Sequence, residues 1–135
     1  MTLTNLYNIA ECDNIMVYSY DLDIFNSLSL VCNGISYIAI DPFKIESESD
    51  EKVKLAHELG HCETGAFYNE YATCDVRTKH ERTADKWAIK KLIPEDELKE
   101  ACKFCTNRWE LSEHFGVTED FMQKAMDYYH NEVFV

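Results

Sequence analysis

The residues best suited to chemistry lie in one short run, His57-Glu58-Leu59-Gly60-His61, which has the pattern H-E-x-x-H. Residues four apart on an α-helix lie about 40° apart around its axis and one turn along it. His57 and His61 can therefore offer ring nitrogens to one metal ion, while Glu58 can reach a water on that ion without binding it. Two neutral ligands beside a carboxylate base are typical of a zinc peptidase. The alternative is a solvated helix with two unrelated histidines.

The flanking residues predict that this run lies on a helix. Ser47 supplies a hydroxyl cap, and acidic residues follow in the first turn, where the helix dipole favours negative charge. Gly65 can adopt the left-handed conformation that ends helices. Because Gly60 costs a helix up to about 1 kcal/mol relative to alanine, we expect another backbone to approach it closely. A buried stripe at helical spacing contains Val53, Ala56, Gly60 and the two histidines.

A catalytic zinc usually has three protein ligands, so a third must come from another segment. Glu81 is the leading candidate, because it begins a helical pattern with Ala84, Trp87, Ala88 and Leu92 on one face. Asp85, one turn further on, can accept the other ring N–H of a ligating histidine and fix its tautomer. The fallback ligands are Asp85, Asp75 and His80.

Glu81 has a competing structural interpretation. Thr78-x-x-Glu81 is also a capping box, in which Glu81 would bond back to the backbone of Thr78. The H-E-x-x-H run upstream favours the ligand role. Between the two segments, four side chains are candidates to stabilise an oxyanion, and the sequence does not choose among Tyr68, Tyr71, Arg77 and His80.

These motifs resemble the ImmA/IrrE-type metallopeptidases. H-E-L-G-H at 57–61 precedes E-x-x-A-x-x-W-A at 81–88 and Leu92-Ile93-Pro94. Two positions depart from the family pattern: Asp85 stands where Asn is common, and Trp87 where Phe is common. Asp85 is still a hydrogen-bond acceptor, and Trp87 is still a large apolar side chain. The resemblance extends from near Asp41 to the end of the chain.

The resemblance implies an α+β fold, a zincin-like (gluzincin-type) minimal domain, with a small sheet packed on the H-E-x-x-H helix and helices after it. It further implies a zinc-dependent endopeptidase, often encoded on phages and mobile elements, that cleaves, or relieves the action of, a helix-turn-helix repressor. One Zn²⁺ would be held by His57, His61 and Glu81, with Glu58 as base; this ligand set favours Zn²⁺ over Mn²⁺. The alternative is a non-cleaving anti-repressor module with a peptidase-like fold, against which the intact Glu58 argues.

Length and composition predict one cytoplasmic domain over residues 1–135, divided into 1–46 (helix and hairpin sheet), 47–93 (metal helices) and 94–135 (helical part). We find no signal-peptide pattern and no apolar run near the roughly 20 residues that a membrane helix needs. The six cysteines are therefore expected to be reduced core residues. Cys102-x-x-Cys105 has no second pair to complete a zinc site.

The net charge of −12 argues against direct nucleic-acid binding, because no Lys/Arg cluster exceeds Lys90-Lys91. An acidic protein can instead attract a basic partner, such as a DNA-binding repressor. Residues 111–129 resemble a helix-turn-helix whose first helix ends at Gly116, with Thr118 as the cap of the second. Its second helix carries a net negative surface that phosphates would repel, so we interpret this region as a packing or docking element.

The first third of the chain predicts a helix capped by Thr2 or Thr4, a strand over 15–20 and a hairpin. The hairpin joins residues 28–32 and 35–40 through Asn33-Gly34, which suit a type I′ turn. A small mixed or antiparallel sheet follows from these strands. We expect Ile35–Ile40 either to offer a free edge for an extended substrate or to be a core strand.

Overall fold

A computed structural model describes the backbone of residues 1–69 and 71–134 and the side chains of residues 1–69 and 71–131. The helices in these ranges are α1 (Leu3–Cys12), α2 (Glu48–Thr64), α3 (Cys74–Leu92), α4 (Glu95–Ala101), α5 (Arg108–Phe115) and α6 (Glu119–Phe134). The strands are β1 (Met16–Ser19), β2 (Ser27–Cys32) and β3 (Ile35–Ile40), and a short 3₁₀ helix spans Pro42–Lys44. The α+β class is therefore confirmed.

The three strands form a mixed sheet in the order β1-β3-β2. The hairpin turn is as expected, since Asn33 and Gly34 both have positive φ, 51° and 77°. Of the two alternatives for β3, the free edge is wrong and the core strand is correct, because β1 pairs parallel to one side of β3 while β2 pairs antiparallel to the other. β2 is the edge strand that packs on α2.

The core lies between the inner face of the sheet and the helices. Helix α1 is capped by Thr2, whose hydroxyl accepts from Asn5 N at 3.1 Å, and it buries Leu6 and Ala10. Tyr7, which follows Leu6, is exposed. The largest buried side chains are supplied by every layer of the fold: Leu6, Ile38, Leu55, Leu59, Ile89, Leu92, Ile93 and Met122.

The C-terminal helices pack around the start of α2 and the end of α3. Lys52 on α2 is buried, and its Nζ donates to Phe115 O at the end of α5 at 2.7 Å. Gly116 has a φ of 66° and ends α5, and the Thr118 hydroxyl accepts from Phe121 N at 3.2 Å, as predicted. None of these helices, within the described residues, has both the length and the apolar composition needed to cross a membrane.

The expectation that the cysteines are core residues is wrong for four of them, while Cys62 and Cys105 pack against the core. All six are free thiols; Cys62 and Cys105 are half-buried and the other four are exposed. Cys102 is exposed because α4 ends at Ala101, which leaves Cys102 after the last turn of the helix.

Candidate metal centre

The H-E-x-x-H run lies on α2, as the sequence predicts. Ser47 caps the helix by accepting from Asp50 N at 3.1 Å, and Gly65 ends it in the left-handed conformation at φ 69°. His57 and His61 are one turn apart, with ring centroids separated by 4.9 Å and ring planes at 88°. Both imidazoles therefore lie on the same side of the helix.

Glu81 lies in the middle of α3, which corrects the capping-box alternative. The helix begins at Cys74, where the hydroxyl of Thr73 accepts from Val76 N at 3.3 Å, so Thr78 is not an N-cap. The Glu81 carboxylate instead faces both histidines: Oε2 is 2.7 Å from His57 Nε2, and Oε1 is 3.0 Å from His61 Nε2.

A close crossing of the two helices brings these groups together. A Cβ placed on Gly60 would lie 2.5 Å from Ala84 O and 2.9 Å from Ala84 Cα, distances that no side chain tolerates. Glycine at position 60 therefore lets the backbone of α3 touch α2, as expected from the sequence. Ala84 follows Glu81 by one turn, so this contact sets the carboxylate against the imidazoles.

The outer ring nitrogens are held by other acceptors. His57 Nδ1 is 2.7 Å from Asp85 Oδ1, and His61 Nδ1 is 2.5 Å from the carbonyl oxygen of Ala66. Ala66 also donates its N–H to His61 O at 3.1 Å, because the turn at Gly65 folds the chain back onto the helix end. Both Nε2 atoms are left facing Glu81, the arrangement by which outer hydrogen bonds fix metal ligands.

The donor atoms fit a metal ion. One ligand atom from each of His57, His61 and Glu81 lies within 4.8 Å of the other two. Two imidazole nitrogens and one carboxylate oxygen are a set that zinc accepts, leaving a further position for water. Of the fallback ligands, Asp85 contacts His57 from behind and Asp75 lines a separate surface depression with Thr78 and Arg82.

The charges of the three groups depend on one another. Burial lowers the pKa of His57, but its hydrogen bonds to Asp85 and Glu81 outweigh burial and raise that pKa to about 10. Hydrogen bonds from His57 and His61 hold the pKa of Glu81 well below its usual range. Without a metal these contacts favour the protonated form of His57, and a metal bound at Nε2 would displace that proton.

Glu58 lies beside the ligands and is nearly buried, with 6% of its surface exposed. Its Oε2 accepts a hydrogen bond from the hydroxyl of Ser27 at 2.7 Å. A cavity of about 480 Å³ opens between β2 and the segment after α2. Glu58, His57, His61 and Glu81 line its base, and its walls include Phe25, Ser27, Leu28, Ser29, Phe67, Tyr68, Asn69 and Arg77.

The four oxyanion candidates differ in position. Tyr68 lines the cavity and donates its hydroxyl to Glu81 Oε1 at 2.8 Å. Arg77 also lines the cavity, with its guanidinium carbon 5.9 Å from the centre of the Tyr68 ring. His80 stacks on Tyr68 at 6.3 Å, behind the cavity wall, and Tyr71 is 85% exposed. Tyr68 and Arg77 are thus the two candidates that face the site.

Three contributors to the site were not found from the sequence: the Ser27 hydroxyl, the Ala66 carbonyl and Lys124, whose Nζ is 3.1 Å from Asp85 Oδ2. The Gly65 cap was a usable signal for Ala66, because a left-handed turn folds the following residue back onto the helix. No local pattern marks Ser27 or Lys124, which lie 31 and 39 positions from their partners.

Two histidines one turn apart on a helix, facing a carboxylate on a second helix, define a metallopeptidase type of centre. The family model Peptidase_M78, described as the IrrE N-terminal-like domain, matches residues 11–127. The chain belongs to this metallopeptidase family. The match includes the first strand and the sheet, and so extends further toward the N-terminus than the motifs that suggested it. Comparisons with curated proteins and with solved structures gave no match.

Proposed function

We propose that the protein is a zinc-dependent endopeptidase with a zincin-like, gluzincin-type centre. Its substrate would be a protein, and a helix-turn-helix repressor is the expected target. The observation that carries this proposal is the convergence of His57, His61 and Glu81 beside Glu58 at the base of one cavity. The net charge of −12 suits a basic, DNA-binding partner.

His57, His61 and Glu81 would hold the zinc, and Asp85 and the Ala66 carbonyl keep the two imidazoles oriented toward it. When bound there, zinc would polarise the scissile carbonyl and lower the pKa of a bound water from 15.7 to about 7. A carboxylate in place of a third histidine completes the ligand set of this peptidase class.

Glu58 supplies the acid–base chemistry. Its carboxylate takes a proton from the attacking water and then delivers that proton to the leaving amine. The Ser27 hydroxyl holds one carboxylate oxygen at 2.7 Å and so limits rotation of the group. On the facing wall, the Tyr68 hydroxyl would leave Glu81 Oε1, its acceptor in this structure, to donate to the carbonyl oxygen as that oxygen gains negative charge.

The free edge of β2 is suited to hold an extended substrate. Asp41 N donates to Asn26 O at 2.9 Å, so Asn26 and Asp41 form a hydrogen-bonded pair in register with the hairpin. Bonded and non-bonded pairs alternate in an antiparallel ladder. The backbone N–H and C=O groups of Ser27 and Ser29 therefore point away from β3, along the cavity. A peptide added to this edge would cross the site in an extended conformation.

The experiment compares cleavage of a helix-turn-helix repressor by zinc-loaded wild-type and Glu58→Gln protein. Because a general base contributes about 10²–10⁴-fold to rate, this variant should lose cleavage by that factor and keep its fold, zinc content and partner affinity. Glu63→Gln is the matched control: it makes the same change on the same helix, at an exposed residue outside the cavity, and should cleave normally.

The same variant separates cutting from binding. If zinc-loaded Glu58→Gln relieves repression in cells as fully as the wild type, hydrolysis is not the function. The non-cleaving anti-repressor module would then be correct.

A further inference from the structure

The last helix contacts the metal centre through one side chain. Lys124 on α6 places its Nζ 3.1 Å from Asp85 Oδ2, while Asp85 Oδ1 is 2.7 Å from His57 Nδ1. The two oxygens of one carboxylate are thus divided between a cation from α6 and the imidazole of a candidate ligand. This chain of contacts joins residues 39 positions apart.

The backbone of Lys124 is fixed by the core. Met122 and Ala125, on either side of it, are fully buried, and Phe121 is 4% exposed. One turn further on, the hydroxyl of Tyr129 donates to Ile93 O at 2.6 Å and attaches α6 to the end of α3. The Lys124 side chain is half-exposed, but it extends from a part of the helix that cannot shift without disturbing the core.

An aspartate that contacts a histidine through one oxygen can rotate about its last side-chain bond. A charge-assisted hydrogen bond to the second oxygen opposes that rotation. Asp85 Oδ1 lies 2.7 Å from His57 Nδ1 and Oδ2 lies 3.1 Å from Lys124 Nζ, so the two oxygens can accept from both partners at once.

We propose that Lys124 is a positioning residue of the metal centre, which holds Asp85 in the plane that orients the His57 imidazole. The inference rests on the proposed role of His57 as a ligand. Helix α6 is the second helix of the helix-turn-helix-like unit. Through Lys124 it would help to position the metal centre, a role that its acidic surface does not suggest.

The test uses two measurements on the 135-residue chain. The first is the NMR signal of the His57 Nδ1 proton in metal-free protein, where the hydrogen bond to Asp85 shifts the signal and slows exchange with water. The second is zinc affinity, measured by competition with a chelator. Lys124→Met should speed the exchange and weaken zinc binding about two- to fivefold, as expected for a partly exposed ion pair.

Three further variants separate position from charge. Lys124→Arg keeps a donor and should restore both measurements. Lys86→Met removes the same charge from the exposed residue next to Asp85 and should not weaken zinc binding. In an Asp85→Asn background, Lys124→Met should have no further effect, because the residue would act through Asp85 alone.

Unchanged proton exchange in Lys124→Met would overturn the inference, as would an equal loss of zinc affinity in Lys86→Met. The proposed metal site fails by a different result, absence of zinc binding by the wild type. In that case the NMR signal still decides whether Lys124 holds Asp85 against His57.

Discussion

The helix pair α2/α3 and the facing wall of β2 differ in how they are built. In the helix pair, Leu55, Leu59, Ala84 and Ala88 are fully buried, and the candidate ligands His57 and His61 are fixed by hydrogen bonds at their outer ring nitrogens. Across the cavity, Phe25 on the β2 side is 49% exposed, and Tyr68 on the opposite wall is 41% exposed.

This difference follows from what each part must do. Ligand atoms need positions accurate to a fraction of an ångström, which packed helices with outer hydrogen bonds can provide. A wall that admits an extended peptide must instead leave backbone groups and apolar side chains accessible. Substitutions in the helix pair should therefore alter metal binding or stability, and substitutions along the β2 edge should alter substrate use alone.

The largest expected effect is on the ligand carboxylate. Glu81→Gln should weaken zinc binding by more than about 100-fold, above the usual range for residues that only contact a ligand. Helical content should not change, because Glu81 lies inside α3 and caps nothing. Chelator competition and circular dichroism measure the two quantities. Thr78→Ala, the other half of the rejected capping box, is the control and should bind zinc normally. Normal zinc affinity in Glu81→Gln would remove Glu81 from the site.

The helix crossing gives the next effect. Gly60→Ala forces a methyl group against the backbone of Ala84, and such overpacking typically costs about 1–3 kcal/mol. The helix propensity of alanine offsets up to about 1 kcal/mol of this. Urea unfolding should show a lower free energy of unfolding. Zinc affinity should also fall, because Glu81 moves with Ala84. Adding Ala84→Gly should not rescue the variant, since the clash is with backbone atoms. Wild-type stability in Gly60→Ala would contradict the close crossing.

Features that depend on neighbouring residues were predictable from the sequence. The caps at Ser47 and Thr118, the left-handed end at Gly65 and the Asn33-Gly34 turn all follow from residues within one or two turns. The shared face of His57 and His61 follows from helical periodicity alone. The need for a close backbone at Gly60 was also predictable, although its partner was not.

Features that depend on distant parts of the chain were not predictable in this way. β3 became the central strand because β1, which precedes the hairpin, pairs along its other side. Thr73 and Thr78 are both suitable N-caps for α3, and in the folded structure Thr73 is the N-cap. Ser27 and Lys124 contribute to the site only through the tertiary fold, which joins them to Glu58 and Asp85.

The smallest expected effect tests the substrate side. Ser29→Pro removes one N–H from the free edge of β2, where proline is tolerated because that N–H does not bond to β3. If a substrate strand pairs there, kcat/KM for a peptide spanning the cleavage site should fall about two- to tenfold, the worth of one hydrogen bond. Zinc affinity and the free energy of unfolding should stay close to those of Ser29→Ala.

Two controls make this prediction specific to the edge. Ser29→Ala loses the same hydroxyl but keeps the N–H. Any difference in kcat/KM between Ser29→Ala and Ser29→Pro is therefore caused by the change in the backbone. Leu30→Pro removes an N–H that points toward β3 and should destabilise the sheet itself. Equal kcat/KM in Ser29→Pro and Ser29→Ala would mean that the substrate does not pair at this position. The accessible edge of β2 would then not serve to pair with the substrate backbone. The exposed wall would bind the substrate through side chains instead.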